Sequence, residues 1–405
     1  MSFSWIAALR FLREGRLQTV LIVGGVAVGV AVMVFLSALI DGLQVSLIKQ
    51  TLGSQAHIVI RAPDDAARPL IDRSQQTLTS LVEQPAQRLR TIANWPKVMA
   101  TARGVPGVLA VSPTVSGAGF ASRGSADKAV VLRGVDPESY SAIIPVDQKL
   151  QSGRFELGGN QTVVGTELAS ALGVAVGDKV RLSNAQGESE LFDITGVFDL
   201  QNKEINQRWV FVSLRSAQTL LNLAGDVSAV ELTVVKIFDA EKIAVEVGQR
   251  SGLVADSWMK LNGQLLIALQ SQSSSSNMIQ FFVILAVALG IASVLFVSVV
   301  QKSREIGILK AMGAQTNDVL KVFIIQGLLV GLVGSLFGVL LGAGMSEFFA
   351  SLARNADGTP RFPIDVTAAL VVRSTLIAAV TGVLAAYAPA RRAARLDPAE
   401  VIRYG

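Results

Sequence analysis

No charged residue lies between Arg16 and Asp41, none from Met278 to Val300, and none from Val322 to Ser346. Apolar runs of this length suit helices that cross about 30 Å of hydrocarbon. A fourth block, Val366 to Ala390, is interrupted by Arg373 and is fully uncharged only from Ser374. It reads as a span whose Arg373 snorkels toward the outer interface, the alternative being a charge facing a subunit seam. The first block follows Arg10, Arg13 and Arg16 like a signal peptide, but a signal peptide's apolar region is usually only about 7–15 residues long, so it reads as an anchor. The expected fold is an α-helical membrane protein with four transmembrane helices, about 20–40, 278–300, 322–346 and 366–390, and a large extracytoplasmic α+β domain between the first two.

Composition agrees. The chain has 405 residues, of which 51% are hydrophobic and 17% charged, whereas soluble globular chains carry about 25% charged residues. The absence of cysteine excludes disulfide frameworks and thiolate sites, and one histidine, His57, leaves little for a metal cluster or a Ser-His-Asp triad. Neither a P-loop nor a Gly-x-Gly-x-x-Gly fingerprint occurs, so no phosphate cradle of a known kind is present.

Lys and Arg in the short flanks set the orientation: Arg10, Arg13 and Arg16 before the first span, Lys302, Arg304, Lys310 and Lys321 between the second and third, and Arg391, Arg392, Arg395 and Arg403 after the fourth. By the positive-inside rule these segments and both termini are cytoplasmic. Residues 42–277 then lie outside. They carry 22 Lys and Arg against 22 Asp and Glu, so the chain's formal charge of +5 belongs to the membrane flanks. A nucleic-acid partner is therefore not expected.

The predicted organisation is 1–18, a cytoplasmic amphipathic helix; 19–41, the first span; 42–277, the outer α+β domain; 278–300, the second span; 301–321, a cytoplasmic loop; 322–346, the third span; 347–365, a short outer loop; 366–390, the fourth span; and 391–405, a cytoplasmic tail. In the outer domain, alternating apolar patterns predict strands at Ala56–Ile60, Ala129–Val135, Lys179–Leu182, Leu191–Val197, Trp209–Val212 and Val230–Val235. Helices are predicted at Thr166–Leu172, Arg215–Leu223 and Asp239–Arg250. Residues 61–95 read as an exposed excursion. The polar run Gln270–Asn277 reads as a soft joint, either hinge or tether. Trp5, Leu9 and Leu12 recur at helical spacing beside Arg10 and Arg13, which suits a helix lying on the inner leaflet.

The third span carries Gly327, Gly331, Gly334, Gly338 and Gly342 along one helical face, and the first adds Gly25 and Gly29. Such faces allow close helix packing, within a chain or between chains. Between spans two and three, Ile306, Leu309 and Met312 share a helical face and Gly313 ends the pattern. An apolar face shown at the inner surface invites a partner's groove.

That loop, Lys302 to Ala314, together with Phe323–Gly331 (Phe-Ile-Ile-Gln-Gly-Leu-Leu-Val-Gly), resembles the permease subunits of ABC systems of the MacB, FtsX and lipoprotein-releasing LolC/LolE type. The tail Tyr387–Tyr404 is similar to that family's ending, and Gly134–Pro137 and Val164–Leu182 resemble its outer domain. The resemblance implies a second permease in a homo- or heterodimer, a cytoplasmic ABC ATPase dimer that holds ATP and Mg²⁺, and mechanical transmission to the outer domain. No cofactor, metal or catalytic residue is then expected in this chain. Arg304, Glu305, Ile306, Ile308, Leu309 and Met312 would couple to the ATPase. The resemblance is strongest to the lipoprotein-releasing type, in length, in the Phe323–Gly331 segment and in the Trp258–Leu269 approach to span two, although the proline-bearing hook with which one subunit of that pair captures a periplasmic carrier is replaced here by a short turn around Asn184–Gly187.

The implied function is extraction or export of a lipid-linked or amphiphilic cargo such as lipoprotein at a bacterial inner membrane. An adaptor-dependent exporter and a relay controlling an outer enzyme are the alternatives, with a periplasmic adaptor, carrier or lipoprotein as further partners. Cargo and membrane lipid are expected around Leu36, Leu43, Leu47, Leu265, Phe281 and Phe282, where spans one and two enter the outer domain.

Overall fold

A computed structural model describes residues 3–63, 90–223, 225–352 and 364–396. In chain order the elements begin with α1 (Phe3–Glu14), α2 (Arg16–Leu52), β1 (Ile58–Arg61), α3 (Trp95–Arg103), β2 (Val108–Arg123), β3 (Ala126–Val135) and α4 (Pro137–Ser141). They continue with β4 (Leu150–Gly153), β5 (Gln161–Gly165), α5 (Thr166–Leu172), β6 (Lys179–Asn184), β7 (Ser189–Phe198), α6 (Lys203–Arg208), β8 (Trp209–Ser213) and α7 (Leu214–Leu220). The last are β9 (Ala229–Val234), α8 (Ala240–Ser251), β10 (Val254–Ser257), α9 (Trp258–Leu261), α10 (Gly263–Gln301), α11 (Ser303–Ala311), α12 (Thr316–Leu352) and α13 (Ala368–Ala394). The chain divides into a helical unit, residues 1–47 and 267–405, and a sheet unit, residues 48–266.

In the helical unit α2, α10, α12 and α13 are each long and apolar enough to span a membrane. The glycine face of α12 serves two neighbours. A Cβ on Gly331 would lie 2.6 Å from the Ala378 carbonyl oxygen of α13, and Gly327 meets Gly382 and Ala386 of the same helix. Farther along, Gly334, Gly338 and Gly342 meet Val26, Val30 and Val34 of α2. At 3.6 residues per turn the spacing of four, three, four and four residues keeps the five glycines within about 80° of one another, so a single face meets two partners at different heights along the helix. Gly29 abuts Val287 of α10, whereas a Cβ on Gly25 would meet nothing within 4 Å. Within the chain Gly25 therefore has no close helix contact, unlike Gly29.

The run Gln270–Asn277 is not a joint in the chain path, because α10 passes through it unbroken. Its serines find partners that suit a helix. Ser275 Oγ donates to the Ser271 carbonyl (3.0 Å) and Gln44 Nε2 of α2 donates to Ser273 Oγ (2.8 Å), and just beyond the run Gln280 Nε2 donates to Ser37 Oγ of α2 (2.9 Å). These polar rungs tie α2 to α10.

In the sheet unit, ten strands among the described residues form one mixed sheet in the order β10-β1-β9-β2-β3-β8-β5-β7-β4, with β6 pairing both β2 and β7. The β3–β8 and β5–β7 ladders are parallel. Strand β2 joins β9 through its first half and β3 through its second. Pro113 is tolerated in it because the β3 ladder begins only at Thr114. The Thr114 carbonyl accepts from Ser228 on the β9 side, so the polar edge of Pro113 points the other way, where no N–H is needed. Helices α3, α5, α7 and α8 cover one face, with Val115, Leu132, Leu168, Phe192 and Leu232 in that core. Residues 64–89, most of the predicted exposed excursion, lie outside the described residues, while its end begins α3.

His57 stands at the start of β1. Burial holds its imidazole below the usual histidine range, and its Nδ1 accepts the Val234 N–H at 3.1 Å. That bond requires the neutral ring. The folded state thus binds fewer protons than the unfolded state below the free-histidine pKa of about 6.5, and stability falls as the pH drops under that value. In thermal unfolding of the detergent-solubilised chain, wild type is expected to lose more stability between neutral and mildly acidic pH than His57→Gln. Parallel curves for the two proteins would refute this role.

Candidate functional site

Helix α11 is short, and it is fixed at both ends. At its N-terminus Lys302 Nζ reaches Glu14 Oε2 of α1 at 2.5 Å and Glu305 Oε1 at 2.8 Å, and it sits 5.5 Å from the centre of the Phe11 ring. The hydrogen bonds from Lys302 and Arg10 hold the Glu14 carboxylate below its usual range, and those to Glu14 and Glu305 raise the ammonium pKa of Lys302. At the other end Lys310 Nζ donates to the carbonyls of Ala394 (3.0 Å) and Leu396 (2.6 Å). A cation there satisfies carbonyls left unpaired at the end of α13 and complements its helix dipole. Gly313, at φ +100, then turns the chain toward α12 in a conformation that suits glycine. From the sequence Lys302 and Lys310 count only toward orientation and Glu14 toward nothing, since a charged residue in a polar segment carries no sign of its partner.

The predicted coupling residues separate into two sets. Ile306 is 1% exposed and packs with Val319 and Phe323 in the helical unit's core. It is not on the displayed face, and its assignment to partner contact is corrected. Ile308, at 47%, and Met312, at 80%, are displayed, and Arg304 and Glu305 are exposed beside them. Leu309 is half-buried and lines an open groove of about 610 Å³ with Trp5, Met312, Gly313, Lys321 and Ile325. Ile308 and Met312, one turn apart, make the outward apolar stripe.

Of the residues expected to meet cargo, Leu36, Leu43 and Leu47 are half-buried along α2, and Leu265 is half-buried in the sheet unit's portion of α10. Phe281 and Phe282 are exposed on α10, their rings edge to face at 5.7 Å. A further feature is an apolar groove of about 380 Å³ between α2 and α10, lined by Ile22, Gly25, Gly29, Val283, Val287 and Gly290 among others. The two glycines of α2 had signalled only packing, yet Gly25 serves this open groove. On helix α1, Ser4 and Ala8 are buried, Leu12 is half-buried, and Trp5 and Leu9 of the predicted apolar face are exposed. Phe11 packs near Phe323 at 6.5 Å.

Residues 19–249 match the MacB-like periplasmic core domain, and residues 277–398 match the FtsX-like permease C-terminal domain. The chain belongs to the ABC transporter permeases that carry a MacB-like periplasmic core domain, here followed by an FtsX-like permease region. The family is one of transmembrane permeases. The permease is 25% identical over 408 residues to the lipoprotein-releasing system transmembrane protein LolC of Xylella fastidiosa, covering 94% of this chain and 92% of that one. With LolC of Neisseria meningitidis the identity is 23%, covering 99% of each chain. The macrolide export ATP-binding/permease protein MacB of Hahella chejuensis is 40% identical over 114 residues, which is 28% of this permease and 16% of that protein. The four apolar helices and the large periplasmic-type domain are those of an inner-membrane permease.

Proposed function

We propose that this permease transmits ATP-driven motion from a cytoplasmic ABC ATPase dimer, docked on α11, to its extracytoplasmic domain, and that the motion extracts a lipid-linked cargo such as lipoprotein from the outer leaflet. The observation that carries the coupling half is the double anchorage of α11. A helix tied to α1 through Lys302 and to α13 through Lys310, with Ile308 and Met312 left uncovered, passes a push on its face into two other helices. Arg304 and Glu305 border that face and supply its polar contacts. ATP and Mg²⁺ stay in the ATPase. The basic flanks support a cytoplasmic side for both termini and α11. A second permease completes the transporter, as a homodimer or a heterodimer.

Lipoprotein as cargo is supported by similarity over nearly the whole chain to proteins named for lipoprotein release. The apolar groove between α2 and α10 suits an acyl chain, and Phe281 and Phe282 offer apolar surface on the same helix. An exporter working with a periplasmic adaptor rests on the shorter similarity to a macrolide exporter. A photo-crosslinker at Leu43, run during ATP turnover in native membranes, is expected to capture a lipoprotein. Capture of a periplasmic adaptor with no lipoprotein would favour the exporter, and capture of neither at any stage of turnover would remove the cargo assignment.

A further inference from the structure

Helix α1 carries a second surface that the transport reading leaves unused. Its Trp5, Ile6 and Leu9 side chains are exposed, and after Gly15 the chain enters α2, whose first turns expose Leu17, Val20 and Leu21. Among these apolar side chains lies an open groove of about 690 Å³ lined by Ile6, Leu9, Arg10, Arg13, Glu14 and Arg16. Its charges do not cancel. Glu14 is taken by Lys302 of the α11 junction and by Arg10, which bonds it at 2.9 Å. Arg13 and Arg16 have no ion-pair partner among the described residues. The groove therefore joins two uncompensated guanidinium groups to an aliphatic wall, at the point where the chain turns into a membrane span.

We infer that this groove binds the headgroup of an anionic phospholipid, with Arg13 and Arg16 taking the phosphate and Ile6 and Leu9 lying against the upper acyl chain. Guanidinium groups suit phosphate oxygens because they offer paired donors with charge. The exposed aliphatic residues favour a lipid over an acidic protein surface, which would leave Ile6 and Leu9 wet. Because Glu14 links α1 to Lys302, a lipid held here steadies the platform from which α11 projects. The inference does not depend on which cargo is moved.

The test uses the full chain in nanodiscs containing equal parts of phosphatidylglycerol and phosphatidylcholine, extracted in mild detergent, with bound lipids counted by native mass spectrometry. Wild type is expected to retain phosphatidylglycerol in clear excess. Arg13→Gln/Arg16→Gln should reduce that excess by about fivefold for each arginine, the effect expected of one basic residue at an anionic surface. Arg13→Lys/Arg16→Lys should keep most of it, and Arg103→Gln/Arg215→Gln, which removes equal charge from the sheet unit, should leave it unchanged. Should the double glutamine variant fail to insert, Arg13→Gln alone is read in the same way. An unchanged excess in the glutamine variant, an equal loss in the sheet-unit control, or complete displacement by inorganic phosphate would each overturn the assignment. So would recovery of an acidic protein in place of lipid at this groove.

Discussion

Gly331→Leu is expected to abolish the folded helical unit, whereas Gly25→Leu should insert and purify normally. A Cβ on Gly331 would stand 2.6 Å from the Ala378 oxygen and 3.1 Å from the Ala379 Cα, and both atoms are backbone. No rotamer change relieves such a clash, so α12 and α13 must move apart. Overpacking costs about 1–3 kcal/mol where side chains can yield, and a backbone clash belongs at or beyond the top of that range. The loss is aggravated in a membrane, where helix association depends on close van der Waals contact. Gly25, by contrast, has no neighbour within 4 Å. Fluorescence-detected gel filtration with a thermal ramp distinguishes the two variants, and equal behaviour would mean that α12 does not pack against α13 in this way.

Ile308→Asp is the second large effect. Ile308 is displayed on α11 and contributes no buried contact to the permease core, so the substitution should leave the permease folded and membrane-inserted. Placing a carboxylate at the centre of an apolar contact leaves it desolvated without a partner, and hot-spot changes of this kind cost about 2 kcal/mol or more. The ATPase should therefore dissociate about thirtyfold more readily or worse. Ile306→Asp is expected to behave differently, losing the folded permease itself, because Ile306 is sealed against Val319 and Phe323.

That contrast also shows what was legible in the sequence. Charge-free runs marked three of the four spans directly, and the fourth from Ser374 onward, since lipid tolerates little else, and the predicted ends fall short because α2, α10 and α12 continue as helix beyond the hydrocarbon-sized segment. The coupling loop was legible as a helix ended by Gly313, but not which of its faces points outward. Ile306 and Leu309 on one side, and Ile308 and Met312 on the other, are nearly equal in apolarity, and only the position of Phe323 decides between them. The serine run misled because low-complexity polar sequence resembles a linker, while its partner Gln44 lies more than two hundred residues away. Strand β2 escaped notice because Pro113, Gly117 and Gly119 break its pattern. The glycines are needed where Leu221 and the Ser183 carbonyl press on the strand, and neither neighbour is adjacent in sequence.

The central claim is that an ATPase docks on the Ile308–Met312 face of α11. The most direct measurement is the ratio of ATPase to permease, with ATP hydrolysis assayed, in material purified through a tag on the permease in mild detergent, for wild type and Ile308→Asp. The account predicts a stoichiometric, active ATPase with wild type and its loss from an otherwise normally folded Ile308→Asp permease. An ATPase retained at the same ratio and activity by that variant would contradict it.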